Sequence, residues 1–171
     1  MSYNKNFQIS DHIIASKQTR FANYIVDYIA MILIFLIIVM ILAIVAGIFD
    51  LPYIISWAVE IENYNKIQEY LLGAVLSIFY YSIFESLTAR SIGKYITGRV
   101  VVFDDGSRPD AGTMLRRALY RIVPLNALAF LWGDQVWHDK YTDTFVVSKS
   151  GLKAELQRYN DFNVIGKTDE L

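Results

Sequence analysis

The chain has 171 residues, 54% of them hydrophobic, and a formal net charge of −1. It has no cysteine and only two histidines, His12 and His138. That excludes disulfides and thiol catalysis and leaves too few ligands for a cysteine- or histidine-built metal site. The length suits one domain, and the apolar content is that of a polytopic membrane protein rather than a soluble one.

Residues 1–19 read as a polar tail with a short amphipathic turn at Ile13–Ile14. They have no apolar core and no small-residue cleavage site, so they do not read as a signal peptide. The run Tyr28–Phe49 is uncharged for 22 residues, and a membrane span needs about 20. It is apolar all round, so as a helix it is either sealed inside a large protein or immersed in lipid. A chain this short cannot wrap it, and the first span is placed at about residues 24–49. Leu51–Val59 is apolar but too short to cross, and it carries Pro52. It reads as an interfacial segment with Tyr53 and Trp57 at headgroup depth. Glu60–Glu69 reads as an acidic loop. The second span, at about residues 70–88, carries Gly73, Ala74 and Ser77, small residues that allow close helix contact in lipid. Tyr80, Tyr81 and Glu85 lie toward its far end.

Thr97–Asp104 is β-branched and strand-like, followed by the turn pair Asp105-Gly106. Ala111–Ile122 reads as a helix with Arg117 and Arg121 on one face at i, i+4. Pro124 should break it. Leu125–Trp132 is apolar but too short to span alone. Thr144–Ser148 is a second strand candidate, and residues 149–171 form a polar tail. If the two strands pair, residues 111–136 must enter and leave the membrane on one side, as a re-entrant or interfacial helical hairpin. The rival is a third span from about Leu119 to Trp137. The expected fold is therefore an all-α integral membrane protein with two transmembrane helices, the hairpin or third span, and a small two-stranded β element.

Charge sets the expected topology. Lys5, Lys17 and Arg20 flank the first span on one side; Asp50, Glu60, Glu62 and Glu69 dominate the next loop. Arg90, Lys94, Arg99, Arg108, Arg116, Arg117 and Arg121 follow the second span. The positive-inside rule puts the N-terminus and the β element in the cytoplasm and the 50–69 loop outside, in a multi-pass protein of the cell membrane.

Four ordered pieces resemble the RDD family of small bacterial membrane proteins. They are Arg20-Phe-Ala-Asn-Tyr-Ile-Val-Asp27; Ser91-Ile-Gly-Lys94 with Thr97–Gly106; the Arg117…Arg121 helix leading to Val123-Pro124; and Trp137-His-Asp-Lys140 with Thr144–Val147. The arginine and two aspartates behind the family name resemble Arg20, Asp27 and Asp139. One departure is Asp143, which adds a charge where the family often has a small residue. The resemblance implies a membrane domain over residues 20–148, and a family whose members are described as candidate transporters, some linked to cation/proton antiport.

Arg20 and Asp27, seven apart, share a helix face with a rise of about 10.5 Å. Asp27 sits at the edge of the uncharged run and should be paired or neutralised. Arg20, Arg117 and Arg121 are its expected partners. Glu85 lies at the same depth and could share a proton or cation with Asp27; the plainer reading has it reach the interface or pair with Arg90. Asp139 either caps the turn before the last strand or pairs with Arg20, and His138 reads as structural. Ser91-Ile-Gly-Lys94 lacks the spacing of a phosphate loop; Lys94 is expected at anionic headgroups or in the Arg/Asp seam, and Gly93 in a turn. The leading function is exchange of small monovalent cations for protons, with Asp27, Glu85 and Asp139 as ligands. The alternative is a non-catalytic membrane adaptor or assembly factor. Either reading calls for a homo-oligomer or a larger membrane complex. No enzyme constellation, no cofactor and no nucleic-acid partner is indicated.

Overall fold

The computed structural model describes residues 7–122 and 136–168. The first long helix, α1, runs Lys17–Phe49. Ser16 caps its start by accepting from the Thr19 amide at 3.3 Å, and Asp50 ends it in the left-handed conformation. The helix would extend about 50 Å at 1.5 Å per residue, more than a bilayer core. Only 6% of its apolar window is covered by the rest of the protein, so its surface is suited to lipid rather than to water.

Leu51–Val59 does not stay irregular. It folds as α2 (Pro52–Glu62), with Pro52 in the opening turn. Proline is compatible there because the first-turn amides have no intrahelical partner in any case. The expected acidic loop over Glu60–Glu69 is correspondingly shorter. The Asn65 side chain accepts from the Ile67 and Gln68 amides, and the Gln68 side chain accepts from the Asn65 amide. This reciprocal cap starts α3 (Lys66–Thr88) four residues before the apolar run at Tyr70. Among the described residues, helices α1 and α3 are the two that are long and apolar enough to cross a membrane.

After α3 the chain turns through Ala89, in the left-handed conformation, into the short helix α4 (Ile92–Ile96), capped by Ser91. Gly98, at φ +66°, then reverses the backbone, a conformation that costs a side chain-bearing residue about 1–2 kcal/mol. Strand β1 (Arg99–Phe103) pairs antiparallel with β2 (Thr144–Ser148), Val101 opposite Val146. Between them lie α5 (Ala111–Tyr120), capped by Asp110, and α6 (Trp137–Lys140). Asp143, also at positive φ, forms the turn into β2. Aspartate tolerates that conformation better than most residues, which accounts for a polar side chain where the family pattern is small. A last helix, α7, runs Lys149–Thr168.

The sheet divides the end of the molecule at which α1 begins into two cores, because strand side chains alternate between faces. Val102 and Val147 pack with Phe7, Ile13 and Leu152 on one face. Val101 and Val146 pack with Ala15, Ala89 and Met114 on the other. Two backbone bonds fasten the sheet to the long helices: the Val101 amide donates to the Ala89 carbonyl at 2.9 Å, and the Ala15 amide to the Val146 carbonyl at 2.8 Å. The described parts of the segments read as polar tails, residues 7–19 and 149–168, are therefore structured. Phe7, Ile13 and Ala15 are buried ahead of α1, and Leu152, Leu156 and Tyr159 of α7 pack over the sheet face that holds Phe7 and Ile13. Their apolar residues are too sparse to mark a core in sequence but fall on one side once the helix forms.

Two strands bonded to each other lie on one side of any bilayer that the helices cross. The pairing of β1 with β2 is the condition on which the expected hairpin rested. The hairpin expected at residues 111–136 is described only at its two ends: α5, which packs along α3, and Val136, which is buried. Its middle, including Pro124, Leu125–Trp132 and Gly133, lies outside the described residues.

Candidate functional site

Three carboxylates are sunk where α1, α3, α4, α5 and α6 meet: Asp27 at 1% exposure, Glu85 at 0% and Asp139 at 1%. Buried charge persists only where it is compensated, and each of the three is compensated differently.

Asp27 projects from α1 toward α4. Its Oδ1 accepts from the Gly93 amide at 2.7 Å and the Tyr80 hydroxyl at 2.8 Å. Its Oδ2 accepts from the Ser91 hydroxyl at 2.6 Å and the Tyr81 hydroxyl at 3.4 Å. All four donors are neutral, so the expected arginine partner is corrected: neither Arg20, Arg117 nor Arg121 bonds to Asp27. The seven-residue spacing does put Arg20 and Asp27 on one face, but their separation along the axis hands each to a different neighbour. The arrangement also corrects the reading of Gly93. It lies within α4, and a Cβ there would stand 2.5 Å from the Asn23 carbonyl oxygen of α1. Glycine is required for the two backbones to approach so closely.

Glu85 neither reaches the interface nor pairs with Arg90, whose guanidinium instead lies 5.7 Å from the Tyr95 ring centre. It receives Lys94 Nζ at 2.6 Å, Arg121 Nη2 at 3.0 Å and Arg117 Nε at 3.3 Å. Lys94, expected at headgroups or in the seam, is 4% exposed and belongs to this cluster. The Arg121 guanidinium also lies 3.8 Å from the Tyr81 ring centre, a close cation–π contact. Asp27 and Glu85 do not bond to each other; Tyr81 stands beside both groups of contacts.

Asp139 pairs with Arg20 and, at 2.7 Å, with Arg117 Nη1. Arg117 is wholly buried and reaches three partners from one guanidinium: Glu85, Asp139 and the Thr144 hydroxyl. Its planar fork of donors suits that bridging role in a way a lysine would not. Arg20 also donates to the Ala15 carbonyl at 3.1 Å. The sequence-based candidates thus fall into one region as two linked clusters, Glu85 with Lys94, Arg117 and Arg121, and Asp139 with Arg20 and Arg117. Asp27 stands alongside with its own hydroxyl shell. Tyr80, Tyr81, Ser91, Gly93 and Lys94 were not among those candidates. The signal that could have found Ser91 is its place before a short helix, as a cap; nothing local marks the two tyrosines.

This is the geometry in which the match to known families can be placed. The RDD family model matches residues 14–147, most of the chain. The chain belongs to the RDD family. No curated protein and no solved structure matches it. In this RDD protein the three residues that resemble the family's signature, Arg20, Asp27 and Asp139, all reach the buried region, and two of them form an ion pair. No group of three or more acidic, histidine or cysteine side chains able to hold a metal occurs among the described residues.

Burial would raise the Asp139 carboxyl, but Arg117, Arg20 and Arg121 outweigh it and hold the group below the usual carboxylate range. Burial, then Arg121 and Arg117, push His138 well below its ordinary value. In the RDD fold His138 is accordingly neutral, while in the unfolded chain it takes up a proton near about pH 6.5. The unfolded state then binds more protons, so stability is full above that pH and falls as pH drops through it. The melting temperature in detergent is expected to decline between about pH 7 and 5. His138→Gln should flatten that decline; an unchanged slope would show that other groups govern it.

Proposed function

We propose that this RDD protein is a non-catalytic membrane scaffold. It crosses the bilayer through α1 and α3, with the sheet and both chain ends on the cytoplasmic side, and assembles with copies of itself or with another membrane complex. The observation that carries this reading is the saturation of the carboxylates. Glu85 and Asp139 are held by permanently charged arginines, and the acceptor positions of Asp27 are filled by four donors. Such groups tie helices together; a carboxylate that exchanges proton for cation must have a vacant side. The proposed orientation is supported by charge, since Arg90, Arg99, Arg108 and Arg116 follow α3 at the sheet end, and Asp50, Glu60 and Glu62 sit in and around α2.

One observation favours exchange of small monovalent cations for protons as a second reading. Among the described residues Asp27 has no cation in contact, and it lines a cavity between α1 and α3. Purified protein reconstituted in liposomes with an internal pH dye separates the two. The expected result is no pH change on pulses of sodium, lithium or potassium, from protein that is folded and in a defined oligomeric or complexed state. An ion-driven pH change that Asp27→Asn abolishes, with folding and assembly intact, would put the exchanger first. Reporter fusions at each terminus test the orientation, and a C-terminus found outside would sink the hairpin.

A further inference from the structure

The cavity between α1 and α3 has a volume of about 580 Å³, within the range of small-ligand sites. Its wall is divided. At the sheet end stand Arg20, Asn23, Lys94 and Arg121; farther along lie Tyr24, Tyr28, Met31 and Ala74, and the exposed Lys66–Glu69 ion pair of α3 also lines the cavity. From this division we propose that the cavity holds an anionic phospholipid, its phosphate at the charged end and an acyl chain along the aromatic and aliphatic end.

Charge supplies the first argument. The buried clusters contain the cations Arg20, Lys94, Arg117 and Arg121 against the carboxylates Asp27, Glu85 and Asp139. His138 is neutral, so one positive charge is in excess among the described residues. An uncompensated charge away from water is costly, and an anion removes the cost. Unused donors supply the second. Asn23 Nδ2 and Arg121 Nε, from two residues that line the cavity, have no hydrogen-bond partner among the described residues. Asn23 is 4% exposed, and its Oδ1 is engaged by the Thr97 hydroxyl at 2.6 Å. That bond fixes the amide and leaves its nitrogen, itself buried, as the unpaired donor of a residue that lines the cavity. Asp27 and Asp139 also line the cavity, but Asp27 accepts four hydrogen bonds and Asp139 is ion-paired with Arg20 and Arg117.

The apolar part of the wall argues for a lipid over a free anion. Tyr24 and Tyr28 are 40% and 52% exposed on the α1 face, as is Tyr70 at 47% on α3. Those faces belong to the two helices suited to lipid, so the cavity opens toward the acyl region. Basic pockets between membrane helices on the cytoplasmic side are suited to anionic headgroups.

The test uses delipidated, full-length protein in detergent, followed by melting temperature and native mass spectrometry. Phosphatidylglycerol is expected to raise the melting temperature by about 4 °C or more and to stay bound at one per chain. Phosphatidylcholine and inorganic phosphate should do neither. Asn23→Asp keeps the acceptor for Thr97 and replaces the unused donor with a carboxylate. It should abolish most of the phosphatidylglycerol shift without lowering the lipid-free melting temperature. Ala74→Phe leaves every charge in place and fills the chain end, and it should abolish retention of the lipid. Equal shifts from phosphatidylcholine, or a full shift from phosphate alone, would overturn the proposal. So would a phosphatidylglycerol shift that survives both substitutions.

Discussion

Arg117→Ala is expected to destabilise the protein by about 3–5 kcal/mol, the cost of removing one partner from a buried ion pair. Arg117 is the shared cation of Glu85 and Asp139 and also donates to Thr144 of β2. Its loss leaves Glu85 to Lys94 and Arg121, and Asp139 to Arg20 and the His138 imidazole at 3.4 Å, while opening a void between α5 and the sheet. Arg116, its neighbour, is exposed and donates to the Thr113 hydroxyl at 3.0 Å. Arg116→Ala is therefore the control, with an expected effect within about 0.5 kcal/mol. Arg117→Lys should rescue little, because one ammonium cannot span three acceptors. Thermal unfolding of the three variants in detergent provides the measurement. Equal melting temperatures for Arg116→Ala and Arg117→Ala would mean that the clusters are not what holds α5 in place.

Gly93→Ala is the second large effect. The added methyl would meet the Asn23 oxygen at 2.5 Å, its Cα at 3.0 Å and its carbonyl carbon at 3.1 Å, all backbone atoms of α1. Backbone inside a long helix cannot swing aside as a side chain can, so α4 must withdraw. Overpacking of this kind costs about 1–3 kcal/mol. Withdrawal also lengthens the bond from the Gly93 amide to Asp27, now 2.7 Å, and a hydrogen bond to a charged group is worth about 1.5–3 kcal/mol. Gly73→Ala is the matched control: nothing lies within 4 Å of a Cβ there, and alanine improves helix propensity by about 1 kcal/mol. The expected result is a strong fall in melting temperature for Gly93→Ala and none for Gly73→Ala. Faster amide exchange at Ser91–Lys94 should accompany the fall. A Gly93→Ala protein with wild-type stability would show that α4 and α1 do not pack as closely as described.

Hydropathy and charge order were readable in the chain because both are local quantities. An uncharged run long enough to span, a second apolar run after an acidic stretch, and arginines clustered beyond it need no partner to be recognised. The β-branched runs at Val100–Val102 and Phe145–Val147 and the Asp105-Gly106 turn were legible for the same reason, as were the ordered motifs that carry the RDD resemblance. Arg20, Asp27 and Asp139 could be named as candidates because charge beside an apolar span is conspicuous.

Which charge meets which was a tertiary decision. Partner choice depends on distances of a few ångströms between helices, and sequence spacing constrains only residues on the same helix. Arg20 and Asp27 share a face, yet Asp139 of α6 takes the first and the hydroxyls of α3 and α4 take the second. Glu85 could be expected at the interface until α5 brought Arg117 and Arg121 against it. Gly93 looked like a turn residue because its small size is needed for contact with Asn23, seventy positions away. The polar ends of the chain became part of the fold because a few apolar side chains, Phe7, Leu152 and Tyr159 among them, find one another only after the sheet has formed. What the sequence determined by itself was the membrane-type architecture, through local hydrophobicity. What only the tertiary structure decided was the pairing of its buried charges, through contacts between residues far apart in the chain.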